Sequence, residues 1–144
     1  MDSNRPMSVP PIPLAMVVCD QAYRDSMSQK ISLLGLFSVI FAPEVPARHP
    51  YLTVYLSLTD AKGLVQLKVK IVDINELRPP IATVEIELEI DNPLQVFEPI
   101  LPLSSLEFPE FGEYRVQTFS GEDLLVERRI TVIQSNREGV IEHD

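Results

Sequence analysis

The chain has 144 residues, 45% of them hydrophobic, with 21 acidic against 12 basic side chains and hence a net charge of −9. A chain of this length is expected to form one domain and to bury roughly 68% of its unfolded surface. Its negative balance, with no basic cluster, argues against nucleic acid as a partner, and its single cysteine, Cys19, rules out an internal disulfide and fits a reducing, cytoplasmic compartment.

Residues 1–12, which include Arg5, Pro6, Pro10 and Pro11, read as a flexible, polyproline-like tail. The apolar run Leu14 to Cys19 is too short for the core of a signal peptide and far too short to span a bilayer, so no membrane role is expected. It is the first strand candidate. The polar connection Asp20 to Gln29 follows, with no Pro or Gly to mark its conformation. Lys30 to Phe41 is nearly unbroken in its hydrophobicity around Gly35, which suggests a central strand buried on both faces or bent by a bulge, with a buried helix as the competitor. Pro43, Pro46 and Pro50 then predict a loop around Arg48 and His49.

The middle of the chain carries the clearest periodicity. Leu52, Val54, Leu56 and Leu58 alternate with Thr53, Tyr55, Ser57 and Thr59, so one face of that strand belongs to a core. After the turn at Asp60-Ala61-Lys62-Gly63, a second strand points Val65, Leu67, Val69 and Ile71 inward and Gln66, Lys68 and Lys70 outward. Ala82 to Asp91 alternates most regularly, with Glu85, Glu87, Glu89 and Asp91 on a wet face. Leu94 to Leu103 is a weaker strand that belongs at an edge, because Pro99 and Pro102 cannot donate to a ladder.

The final stretch is a long hairpin. Phe108-Pro109-Glu110-Phe111-Gly112 bends into a strand in which Tyr114, Val116 and Thr118 share one face, Ser120-Gly121-Glu122-Asp123 turns the chain, and Leu124, Val126, Ile130 and Val132 return on one parity. Arg128 breaks that parity, which a bulge near Glu127 would explain. The whole predicts an all-β, antiparallel β-sandwich of about seven to eight strands over residues 13–135, followed by a polar C-terminal tail, residues 136–144. Gly112, Tyr114 and Gly121 are its expected structural residues. A Tyr two residues after a Gly, at the start of the penultimate strand, stands where immunoglobulin-like domains place a tyrosine whose hydroxyl ties back to the preceding loop. With no Trp and no disulfide, the pattern is closer to fibronectin type III domains.

Candidate chemistry is sparse. The stripe Glu85, Glu87, Glu89, Asp91 cannot close around one cation, since alternate residues of a strand stand about 6.6 Å apart, so it reads as a solvated face paired with Lys68 and Lys70. Cys19 lies in an apolar strand that raises a thiol pKa, and with only His49 and His143 as further soft ligands it makes neither a nucleophile nor a zinc site. No phosphate loop, serine elbow or metalloprotease motif is present. No cofactor, no metal and no catalysis are therefore expected.

The segments Val18-Cys19-Asp20, Ser32-Leu33-Leu34-Gly35-Leu36-Phe37, Phe108-Pro109 through Tyr114, and Ser120-Gly121 resemble an uncharacterised bacterial family of short single-domain sandwiches. That resemblance covers nearly the whole chain and implies an intracellular immunoglobulin-like domain without known catalytic residues. The expected function is a non-catalytic protein-interaction module that docks a protein partner or a second copy. Tyr23, Arg24 and Asp25 form its expected contact site, and the Leu94 to Leu103 edge a further candidate. The alternative is a small-ligand or enzymatic site built from loops at one end, around Tyr23, Arg24, Arg48 and His49.

Overall fold

The computed structural model describes residues 9–135. Through them run nine strands: β1 (Ile12–Arg24), β2 (Ile31–Leu36), β3 (Val39–Ala42), β4 (Ala47–Thr59), β5 (Gly63–Asp73), β6 (Ala82–Ile90), β7 (Ile100–Phe108), β8 (Gly112–Ser120) and β9 (Asp123–Gln134). They form a four-stranded sheet, ordered β2-β1-β4-β7, and a five-stranded sheet, ordered β3-β9-β8-β5-β6. All neighbours are antiparallel except β3, which runs parallel to β9. Among the described residues there is no helix, so the all-β expectation holds, with one strand more than the upper count.

The extra strand comes from the apolar run at 30–41. It is neither one central strand nor a helix but two edge strands on different sheets. Gly35 takes a φ of +72°, turning the chain out of β2, and Phe37-Ser38 carries it across to β9. Hydrophobicity alone could not separate a doubly buried strand from two half-exposed edges. The expected tails fall mostly on residues 1–8 and 136–144, which lie outside the described residues; Val9 is bonded to Lys62 on both sides of an isolated bridge, and Pro11 is buried.

The alternating patterns place the core where expected. Leu52, Val54, Leu56 and Leu58 from β4 meet Val65, Leu67, Val69 and Ile71 from β5 in one cluster closed by both sheets. Each such side chain contributes roughly 1.5–3 kcal/mol on leaving water. On the opposite face of β5 and β6, Lys68 pairs with Glu85 at 3.5 Å, and Gln66 donates to Glu87 at 3.3 Å. Lys70 instead lies over the Phe119 ring, 4.8 Å from its centre.

Prolines are fitted at steps where no ladder bond is lost. Arg48, His49 and Pro50 stand inside β4 rather than in a loop, because the β4–β7 register passes over position 50, opposite Ser105 with its φ of +56°. Both strands switch parity there: Leu101 and Leu103 face the core before the bend, Leu106 and Phe108 after it. The Pro-containing stretch does reach an edge, since β7 ends the four-stranded sheet and holds Pro102, but the strand is Ile100–Phe108 rather than Leu94 to Leu103: Leu94 to Pro99 precede it, tied to β4 only by the isolated bridge of Phe97 to Leu58.

The last hairpin has its irregularity between Thr118 and Phe119, where the pairing steps from Val126 to Leu124. The bulge therefore falls at Leu125, not near Glu127, and Arg128 keeps the parity of Ile130. It crosses the seam between the sheets, and its Nε donates to the Met16 carbonyl of β1 at 2.9 Å. Gly121 takes the turn with φ +60°, and Gly112 has φ +133°. The Tyr114 hydroxyl donates to the Glu110 carbonyl at 2.6 Å and accepts from the Glu110 amide at 3.0 Å, while its ring packs edge-on against Phe108 at 4.9 Å. The tie expected of this tyrosine is thus present. Tyr114→Phe keeps the packing and leaves two polar groups of the loop without their partner, so we expect a loss of about 1–3 kcal/mol in urea denaturation with an unchanged denaturant slope.

Candidate functional site

Polar residues after Cys19 give the first hairpin its shape. β1 pairs with β4 only as far as Cys19 opposite Thr53, and beyond that only with β2, from Cys19 opposite Leu36 to Arg24 opposite Ile31. The connection read as conformationally open is half strand, to Arg24, and half turn. Its turn is closed by Asp25: the carboxylate accepts from the amides of Ser28 at 2.7 Å and Met27 at 3.2 Å, and the Asp25 amide donates to the Lys30 carbonyl at 2.8 Å. The Ser28 bonds, first among these, hold the Asp25 carboxyl below its ordinary range.

The three expected contact residues therefore sit together at the hairpin tip but do different things. Asp25 is occupied by the turn. Arg24 donates to the Glu98 carbonyl across the sheet, beside the bond between the Tyr55 hydroxyl and the Glu98 carboxylate. Tyr23 lies exposed, its hydroxyl donating to Gln21 at 2.7 Å. Near it are Leu34, 51% exposed, and Leu36, 63% exposed, which the reading of 30–41 as a central strand had placed in a core, together with Tyr51 at 60% and Met27 at the turn at 91%. The only signal for them was negative, since an apolar run beside Gly is legible as surface only once the strand is known to be an edge.

Where β1 leaves β4, a cavity of about 420 Å³ opens, lined by Asp20, Gln21, Leu34, Gly35, His49 and Tyr51 among others. On the other side of His49, Arg48, Leu106 and Glu107 line a second space of about 340 Å³. His49 stacks obliquely on Phe37 at 5.1 Å and lies 4.0 Å from Asp20. Arg48 is only loosely paired with Glu107, at 4.0 Å on the exposed surface. The structure thus brings His49 together with Asp20, not with Tyr23 or Arg24, so the four residues of the loop-site alternative do not converge.

Cys19 is fully buried, and its thiol donates to the carbonyls of Gln21 and Thr53. Burial, with Asp20 adding to it, pushes the thiol pKa up, the direction opposite to that of a reactive cysteine. Among the described residues no three His, Cys, Asp or Glu side chains gather as metal ligands. His143 lies outside the described residues. Among the described residues no helix is long and apolar enough to cross a membrane.

The model of a family of unknown function, DUF6941, matches residues 14–133. No curated protein matches the chain in sequence. Among solved structures, a β-glucosidase from Erythrobacter marinus is similar over 83% of this chain and 15% of its own, at 18% identity and a TM-score of 0.43. The chain spans less than a sixth of that structure's length, and the likeness is too low to carry an argument.

His49 titrates below its ordinary 6.5 because burial disfavours the charged ring, with Asp20 and the Tyr51 backbone pulling the other way. The folded ring then binds fewer protons than the unfolded one, so stability falls as pH drops through 6.5 towards the folded midpoint. We expect His49→Gln to flatten that part of the stability–pH curve and Asp20→Asn to lower the ring's midpoint further, as read by proton NMR of the imidazole and by urea denaturation.

Proposed function

We propose that this chain, which belongs to the DUF6941 family of unknown function, is a non-catalytic protein-interaction module whose contact surface is the first hairpin. The observation that carries this reading is the exposure of Tyr23, Leu34, Leu36 and Tyr51 near one free sheet edge, β2. Tyrosine is among the usual anchors of a protein interface, and an unpaired strand edge can accept a partner's strand. Tyr23 belongs to this surface directly. Arg24 and Asp25 support it by fixing the arm and the turn.

The other edges are less inviting to a strand. β6 carries Glu85, Glu87 and Glu89 beside its edge, β7 is bent at Ser105 and contains Pro102, and β3 has four residues. We read the scaffold as immunoglobulin-like. In that reading β1, β4 and β7 take the A-B-E positions, β9, β8, β5 and β6 take G-F-C-C′, and Tyr114 provides the corner. A cytoplasmic setting is part of the proposal, supported by a sole cysteine that is a buried thiol.

The test compares capture by the tagged full-length chain and by its Tyr23→Ala, Leu34→Ser, Leu36→Ser triple variant from native lysate. We expect a stoichiometric protein bound by the parent and reduced at least about tenfold by the variant, with thermal stability within a few degrees. Equal capture by both would remove the hairpin as the contact surface.

A further inference from the structure

An arginine stands where the parity of β9 calls for an apolar side chain. Arg128 alternates with Ile130 and Val132, which are buried in the core, yet it is itself exposed. It crosses the seam between the sheets, and its Nε donates to the Met16 carbonyl at 2.9 Å. That carbonyl is open to it because the β1–β2 ladder reaches only to Cys19 opposite Leu36; one step beyond, the Val18 carbonyl accepts from the Phe37 amide at 3.3 Å, where the chain leaves β2 for β3. The Met16 bond orients the planar guanidinium, and the donors on its two terminal nitrogens make no bond among the described residues.

The other arginines are differently placed. Arg48, Arg78, Arg115 and Arg129 each lie within 4.0 Å of a carboxylate, and Arg24 gives a terminal nitrogen to the Glu98 carbonyl. Arg128 has no carboxylate within that distance among the described residues, in a chain with 21 acidic and 12 basic side chains. Beside it opens a cavity of about 330 Å³, lined by Val17, Leu36, Phe37 and Ser38 among others. Leu36, 63% exposed, belongs both to this wall and to the hairpin edge. A partner that covers Leu36 therefore also takes water from Arg128, and a guanidinium that loses water without gaining an acceptor is strongly unfavourable. A carboxylate matches its fork. One cation on a molecule of net charge −9 suits a single negative charge better than the double charge of a phosphate ester.

We propose that the protein docking on the first hairpin brings an acidic side chain, Asp or Glu, onto the terminal nitrogens of Arg128, with an apolar neighbour resting on Leu36 and Phe37. The inference rests on the interaction reading above and adds the chemistry of the partner.

In the experiment, random peptides displayed on phage are selected on the immobilised full-length chain, and the enriched sequences are synthesised and measured for affinity. We expect them to carry an Asp or Glu close to an aliphatic or aromatic residue. Changing that acid to its amide weakens binding to the parent at least about tenfold and binding to Arg128→Gln hardly at all, because the two losses remove one interaction. Arg128→Lys keeps the charge without the fork and loses less; it also serves as the variant to measure where Arg128→Gln melts early. No enriched peptide, no acidic preference, or an equal loss from the acid-to-amide change in parent and variant would overturn the inference. If the Tyr23→Ala, Leu34→Ser, Leu36→Ser variant loses peptides that show no acidic preference, the hairpin surface stands and the carboxylate fails. Peptides held equally by that triple variant and the parent remove both.

Discussion

The molecule's surface chemistry depends on one parting of strands, the end of the β1–β4 ladder at Cys19 and Thr53. Up to that pair, β1 is an ordinary inner strand whose Met16 and Val18 join the core. Past it, the chain follows β2 alone, and every ladder bond it forms belongs to the hairpin. The parting is itself stabilised by polar contacts: the Cys19 thiol donates to the Thr53 carbonyl, and the Thr53 hydroxyl donates to the Asp20 carbonyl at 3.1 Å. Thr53 is buried on a face that a two-layer sheet would otherwise leave wet, so these bonds offset the cost of hiding its hydroxyl.

The remainder of the fold is tied together within and between its two sheets. A core of alternating aliphatic side chains joins two sheets, Arg128 crosses their seam to a carbonyl of β1, and Tyr114 fastens the last hairpin to its own loop. On the outside of the five-stranded sheet, Arg115 reaches both Glu113 and Glu127, and Arg129 reaches Glu113, which uses charge to keep that face solvated. The five-stranded sheet carries this ion-pair network on its outside, and the four-stranded sheet carries the hairpin with exposed Tyr23, Leu34 and Leu36.

Much of the core was legible in the sequence because a strand with one dry face must alternate, and the stretches at Leu52–Leu58, Val65–Ile71 and Tyr114–Thr118 alternate in hydropathy, although Thr53 and Ser57 are buried as well. Tyr114 was legible too, since a glycine bend two residues earlier leaves a buried hydroxyl one nearby backbone to bond. The surface was harder to read. Ile31–Leu36 is as apolar as a central strand, and only its place at the end of a sheet makes Leu34 and Leu36 exposed, a fact of tertiary pairing that no local pattern encodes. Asp20 and His49, 29 positions apart, are brought together by the same pairing. Pro50 pointed the reading towards a loop, because a missing donor is tolerated in a strand only where the facing step is already bent, and Ser105 supplied that bend from across the chain.

In the proposed interaction the first hairpin is the surface the protein works with. The most direct measurement is amide hydrogen exchange on the chain, alone and in complex with the protein partner that the proposed interaction requires. The account predicts new protection confined to residues 20–36 and the neighbourhood of Tyr51; protection confined to β6 or to the loop before Tyr114, with the hairpin amides unchanged, would contradict it.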